Sequence, residues 1–353
     1  MKSTALALAL AAFAAAAGAT PALPAPCAPL TRVASLDMTM LPDGRITVPV
    51  VIAGKSRPML LDIEHQNSSV TPALAAELHL APQDIPDNKI VVYAGNAVTQ
   101  TVLVPSVAFG GASGGAMEFF LLESGKWRDE NVAAPVSMDV FRAVDGTDPD
   151  IAGVIGADLL GNFDIELDFR SRKVNLFAQD HCQGAGVTWA DSAAAVPFTV
   201  NKLGLIKIPA QLDGHDVILG LTTLGVHARM LLVDAERKLD VDDTSPSLVP
   251  IGWHGKEVSV YRDTFQSLTF GGIAIVHPQV DLIAEINRHD DDATIHARAL
   301  DFIWLDGYEA GPPHKLGIGG SDVELGLDTL EKLHLFISFS EMTIYATAAD
   351  AHK

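Results

Sequence analysis

The sequence predicts an all-β protein built from two duplicated lobes with short helices, and two observations carry that expectation. The first is an ungapped internal match. Gly44-Arg-Ile-Thr-Val-Pro-Val-Val-Ile-Ala-Gly-Lys-Ser-Arg-Pro-Met-Leu-Leu-Asp62 recurs as Gly204-Leu-Ile-Lys-Ile-Pro-Ala-Gln-Leu-Asp-Gly-His-Asp-Val-Ile-Leu-Gly-Leu-Thr222, with Gly44 on Gly204, Pro49 on Pro209 and Gly54 on Gly214. The second is the succession of short alternating strands and glycine-rich turns in each copy, with one short helix early and one late. A repeat 160 residues long is a duplicated domain and not a solenoid unit.

Taken in order, residues 1–20 have the parts of a secretory signal peptide. Lys2 supplies the positive end, Ala5 to Ala17 the apolar core, and Ala17-Gly18-Ala19 a site for signal peptidase. A membrane anchor needs ~20 apolar residues with flanking charges, which this run lacks. Pro26 before Cys27 argues against a lipid anchor. No later stretch is apolar enough to span a bilayer, so an exported protein, periplasmic or extracellular, is expected. Cys27 and Cys182 are the only cysteines, and in an oxidising compartment an even count favours a disulfide. So long a closed loop allows roughly 4–5 kcal/mol in the chain-entropy model, less any native strain. The net charge of −20 and pI near 4.8 argue against nucleic acid and anionic membrane surfaces as partners.

The first lobe is expected over residues 28–180. Ile46, Val48 and Val50 alternate along one strand, Gly54-Lys55 turns, and Met59-Leu60-Leu61 delivers the Asp62 carboxylate at the end of the next. Thr71 is placed to cap a helix with Pro72 at its first position, running through Ala73 to Leu80. A hairpin tipped by Gly95 follows, then a strand ending at Phe109-Gly110-Gly111. The copy closes on Val154-Ile-Gly156, a short helix and an alternating strand to Phe169. A linker is expected at 181–195 and the second lobe at 196–348. There, Leu231 to Leu239 matches the early helix, Val249 to Val258 the glycine-tipped hairpin, and Phe270-Gly271-Gly272 the next strand end. Glu324 to Phe339 matches the closing segment, with Gly326 on Gly156 and Asp328 on Asp158.

This order of strand, Asp, helix, glycine-tipped hairpin, Phe-Gly-Gly strand and closing hydrophobic-hydrophobic-Gly resembles the retropepsin-like and pepsin-like aspartic peptidases. The similarity is to exported bacterial forms with two units in one chain, and it covers most of both halves after about residue 40. It implies that each lobe supplies one Asp from an Asp-Thr-Gly turn, that the two carboxylates share a proton and activate water, and that the hairpins are flaps over the substrate. Carried onto this sequence, Asp62 is the catalytic Asp of lobe one, with Ile63 in place of Thr and Glu64 in place of Gly. In lobe two Thr222 replaces the Asp, Thr223 keeps the Thr, and Leu224 replaces the Gly ahead of Gly225. Tyr93 and Gly95 fall in the first flap, Trp253 and Gly255 in the second.

Four departures at one site weaken the catalytic expectation. A threonine hydroxyl can neither ionise nor hold a shared proton near neutrality. Glu64 and Leu224 add side chains where glycine eases the backbone path, and they are expected to point into or beside the cleft. Ile63 lacks the hydroxyl that ties the two turns together. Two readings therefore compete. One is a catalytically impaired homologue that binds a peptide or protein through its inter-lobe cleft; the alternative is an active aspartic endopeptidase using Asp62 with an unusual second site. A monomer is expected, because the second lobe fills the surface a homodimer would need.

No cofactor is expected. Asp62, Glu64 and His65 could in principle form a metal or acid/base group, but on a tight turn Asp62 and Glu64 share a side while His65 points away. The runs Asp145–Asp150 and His289–Asp292 lack the ligand spacing of a calcium loop and read as solvated turns, so no metal site is expected. No Gly-x-Ser-x-Gly, His-Glu-x-x-His or phosphate-binding loop is present. His79, His215 and His334 sit at element ends and are expected at the surface.

Overall fold

The computed structural model describes residues 27–42, 44–64, 67–85, 91–93, 96–122, 150–201, 205–254, 257–284 and 321–350. The signal peptide, His65, Gly95, Gly255, the run His289–Asp292 and, apart from Asp150, the run Asp145–Asp150 lie outside these residues.

The large sheets of the two lobes repeat each other strand for strand along their main path. In lobe one the sheet runs Ala112–Gly114, Val107–Phe109, Ile46–Ile52, Lys55–Leu61, Gly153–Ile155, Ser69–Val70, Met117–Leu121, Gln100–Val104, Gln83–Asp84. In lobe two the same path runs Ile273–Val276, Ser267–Phe270, Ile206–Leu212, His215–Leu221, Val323–Leu325, Ala228–Leu231, Gln279–Ile283, Glu257–Thr264, Val249–His254. Parallel and antiparallel neighbours fall at the same places, as in Lys55–Leu61 parallel to Gly153–Ile155 and His215–Leu221 parallel to Val323–Leu325. The fold is all-β, two acid-protease-like lobes related by a pseudo-twofold axis.

Local chemistry explains the match. The opening hairpins close through two-residue turns at Ala53-Gly54 and Asp213-Gly214, with all four φ values between +49° and +82°. Both turn residues of such a hairpin need positive φ, which the glycines meet without strain. The Phe-Gly-Gly corners pack against a third sheet. A Cβ on Gly110 would lie 2.5 Å from the Ala34 side chain, and one on Gly271 would lie 2.4 Å from Val196. Ala34 and Val196 belong to the outer strands, Arg32–Asp37 and Ala194–Pro197, of a six-stranded sheet that joins the lobes. At its centre Asp164–Asp168 of lobe one pairs antiparallel with Leu333–Ser338 of lobe two. One continuous apolar core, from Ile46 and Phe119 to Leu268 and Ile337, runs through both lobes.

The early helix in lobe one spans Pro72–Glu77, and Thr71 Oγ1 accepts from the Leu74 N–H at 3.2 Å. It stops short of Leu80 because His79 takes the left-handed region, φ +52°. Its counterpart spans Leu232–Leu239 and ends at left-handed Asp240.

Cys27 and Cys182 are bonded, with Cα atoms 4.8 Å apart. Beside them the buried His181 Nε2 lies 2.7 Å from Asp164 Oδ2, an oxygen that also accepts from Ser338 Oγ at 2.6 Å. Asp164 thus ties the segment after lobe one to both central strands. His334 is not at the surface: it is buried, its ring stacks on Trp189 with centroids 3.9 Å apart, and Nε2 meets Glu166 Oε1 at 2.9 Å. It lies inside the central pair of strands, where the element-end argument does not hold. His79 and His215 are exposed.

Candidate functional site

The structure brings Asp62-Ile63-Glu64 and Thr222-Thr223-Leu224 together at the junction between the lobes. Each turn is held by its own closing strand: the Asp62 N–H donates to the Ile155 carbonyl at 3.0 Å, and the Thr222 N–H to the Leu325 carbonyl at 3.1 Å. The two side chains then do the same local work. Asp62 Oδ1 accepts from the Glu64 N–H at 2.8 Å, while Thr222 Oγ1 accepts from Leu224 and Gly225 N–H groups at 3.2 and 3.3 Å. Thr222 therefore reproduces the turn-capping role of the aspartate without its charge.

The hydroxyl tie between the turns survives from one side only. Thr223 Oγ1 donates to the Leu61 carbonyl at 2.6 Å and accepts from the Ile63 N–H at 3.2 Å. Ile63 cannot reciprocate and is packed in the apolar core.

The third residue of each turn crosses into the opposite lobe, where sequence reasoning expected both to line the cleft. Leu224 is buried among Leu60, Val98, Phe120, Ile151 and Val154 of lobe one. Glu64 is buried against Arg229 of lobe two, whose Nη2 lies 3.7 Å from Glu64 Oε2, while Arg229 Nε donates to Glu324. The receiving positions are equivalent in register. In lobe one Val154 sits between Leu60 and Ser69; in lobe two Glu324 sits between Gly220 and Arg229. Gly220 makes the room: a Cβ there would lie 2.5 Å from Ser321 Oγ and 3.5 Å from Glu324 Cγ.

The lobe-two cluster is strongly coupled. Burial, helped by the neighbouring Glu64, raises the Glu324 carboxyl to about 8 against the opposing pull of Arg229. Burial also pulls the Arg229 guanidinium down, but Glu324, Glu64 and Asp62 outweigh it and raise its pKa. Lys207, whose Nζ donates to Ser321 Oγ at 2.6 Å, has its pKa lowered by burial despite the fields of Glu324, Glu64 and Asp322. In lobe one the chemistry beside Asp62 is milder. Asp158 takes Ser68 Oγ at 2.6 Å, and its pKa is raised by burial and by the charge of Asp62.

Asp62, Ile63, Glu64, Thr222, Thr223 and Leu224 are all buried. Tyr93 lies on the strand Val91–Tyr93, paired with Asn96–Val98, and Trp253 on the strand Val249–His254, paired with Glu257–Thr264. Sequence reasoning missed Arg229, Glu324, Lys207 and Gly220. The signal that finds three of the four is a position-by-position comparison of the copies, in which Leu60, Ser69 and Val154 become Gly220, Arg229 and Glu324 together. Among the described residues no group of three or more His, Cys, Asp or Glu is placed to hold a metal ion.

The arrangement defines a two-lobed, acid-protease-like protein in which one of the two matched strand ends carries an aspartate, Asp62, and the other a threonine, Thr222. No protein-family model and no curated protein matches the sequence. Among solved structures, the chain is similar to basic 7S globulin from soybean, with 10% identity and a TM-score of 0.48 over 91% of this chain and 98% of that one. It is likewise similar to conglutin gamma, a basic 7S globulin from lupine seeds, with 12% identity and a TM-score of 0.44 over 91% and 95%. Likeness at this level transfers no activity.

Proposed function

We propose that this protein is an exported, non-catalytic relative of the two-lobed aspartic peptidases, and that it binds a peptide or protein without cutting it. The observation that carries the reading is Thr222. Its hydroxyl takes the place of the second catalytic carboxylate and is engaged in capping its own turn. An aspartic mechanism needs two carboxyls sharing one proton, so that one acts as acid and the other as base. Glu64 does not replace the missing partner, because its carboxyl lies against Arg229 in the opposite lobe. Export is supported by the apolar N-terminal run and by the disulfide, which belongs to an oxidising compartment. The binding reading rests on both lobes keeping the hairpin that covers ligand in the peptidases the sequence resembles.

The test is incubation with a diverse peptide library from acidic to neutral pH, beside an Asp62→Asn variant. The expected outcome is no cleavage by either protein. Cleavage by the wild type that Asp62→Asn abolishes overturns the reading in favour of an active endopeptidase.

A further inference from the structure

Where the chain leaves lobe one, beside the disulfide, the side chains of His181 and Asp164 are wholly buried against each other. Both ring nitrogens of His181 face acceptors. Nδ1 lies 3.0 Å from the Cys182 carbonyl, which can only accept, so Nδ1 carries a proton. Nε2 lies 2.7 Å from Asp164 Oδ2, and that contact needs a second proton between the two atoms. Asp164 already accepts from lobe two: from Ser338 Oγ at 2.6 Å, from Phe339 N–H at 2.8 Å, and from Ser340 Oγ and N–H at 3.1 and 3.4 Å. A carboxyl accepting from so many donors is a carboxylate, so the shared proton belongs to the ring. His181 is a buried imidazolium.

The titratable groups facing it come from three elements. Asp164 lies on the central strand. Glu341 stands 3.7 Å from Nδ1 in the turn after Ser338, and Tyr345 of the next strand donates its hydroxyl to Glu341 at 2.5 Å. Farther along the same face His334 meets Glu166 under Trp189. Residues 27–31, which bond to the chain at 178–182, bring no titratable side chain besides the bonded Cys27, and Asp180 is exposed. From His181 onward the chain is a strap across this face. Gly184 N–H donates to Glu341 at 3.0 Å, and Gly186 sits on Phe336, where a Cβ would lie 2.3 Å from the ring. Beneath the strap Phe177 and Phe336 pack with Trp189 and Ala190, apart from the main core.

We propose that His181 is a proton-controlled clasp on this strap: charged, it holds residues 181–186 to Asp164 and to the lobe-two turn; neutral, it lets them lift and uncovers Phe177 and Phe336. Loss of the proton leaves two acceptors, Nε2 and Oδ2, 2.7 Å apart, and a buried carboxylate without its counterion. The Cys27–Cys182 bond limits the movement, since it keeps the strap tethered to the N-terminal segment. The clasp goes beyond the proposed binding function and stands or falls without it.

Linkage fixes the direction. Burial opposes the charged ring, but the Cys182 carbonyl and Asp164, joined by the charge of Glu341, outweigh it and raise the His181 pKa. The clasp is therefore fully closed below the ordinary imidazole range. It weakens as pH rises through the raised value, by at most about tenfold in the opening equilibrium per pH unit for one proton. The Cys182 and Gly184 amides report on it, since in the closed state they donate to the Ala28 carbonyl and to Glu341.

The experiment takes the disulfide-bonded protein between pH 5 and 9 and reads the ring nitrogen resonances of His181 by NMR. Beside them it reads hydrogen exchange at Cys182 and Gly184, divided by intrinsic rates and referenced to amides of the central strand Asp164–Asp168. At pH 7 both ring nitrogens should carry protons. Protection at the two amides should fall as the ring titrates in the wild type and stay level in His181→Gln. A neutral ring at pH 7, a flat wild-type profile, or the same slope in wild type and variant overturns the clasp. If His181→Gln does not fold, the wild type alone decides: loss of protection displaced from the ring titration overturns the clasp, and coincidence supports it.

Discussion

The two halves of the lobe junction share a backbone and differ in chemistry. In lobe one, three neighbouring strands present Leu60, Ser69 and Val154, and the visiting side chain is Leu224. In lobe two, the equivalent positions present Gly220, Arg229 and Glu324, and the visitor is Glu64. The apolar half gains by removing hydrocarbon from water, about 25 cal/mol per Å², with no partner to misplace. The ionic half recovers its desolvation cost only while every charge keeps its counterpart. The same slot is therefore tolerant on one side and brittle on the other.

The strongest way to break the comparison is to remove the cation. Arg229→Ala leaves Glu64 and Glu324 buried without their guanidinium, and a loss of about 3–5 kcal/mol is expected in chemical denaturation at neutral pH. Combining Arg229→Met with both Glu64→Gln and Glu324→Gln should recover part of that loss, because neither carboxylate that faced the guanidinium then remains charged. A single Arg229→Ala as stable as wild type would show that the cluster is solvated in practice.

Leu224→Ala tests the other half. It opens a cavity against Leu60, Phe120 and Val154, and about 3 kcal/mol should be lost, with no change in the pH dependence of stability. A pH-dependent loss would mean that the two halves are coupled and the comparison is too simple.

Thr223→Val is the smallest of the three. It deletes the one hydroxyl that spans the turns, leaving the Leu61 carbonyl and the Ile63 N–H unmatched, and a loss of about 1–2 kcal/mol is expected. Ile63→Thr, which restores the reciprocal hydroxyl in lobe one, sharpens the point: recovery in the double variant would show that the tie works from either side.

Much of the fold was legible because it follows from short-range rules applied twice. The alternation Ile46, Val48, Val50 and the glycine at the Ala53-Gly54 turn specify the hairpin, and the same signals recur at Ile206 and Gly214. Thr71 with Pro72 fixed a helix start. The candidate site was half legible. Asp62 and Thr222 stand at matched ends of matched strands, so the loss of one carboxylate could be read directly. The destinations of Glu64 and Leu224 could not be, because each leaves its own lobe. His334 was misplaced for the same reason, since what buries it is the strand pairing of Asp164–Asp168 with Leu333–Ser338.

By itself the sequence determined the duplication, the strand and turn pattern within each copy, and the absence of a second aspartate at the matched strand end. These depend on periodicity, backbone-permissive glycines and side-chain type, all of which act within a few residues. Only the tertiary structure decided that Glu64, Arg229 and Glu324 form one buried cluster while Leu224 fills its apolar counterpart. Those partners lie far apart in the chain, on strands whose neighbours are apolar, and nothing local marks them as charged groups that must meet. Their pairing is fixed by the register of one lobe against the other, and that register exists only once both lobes have folded and docked.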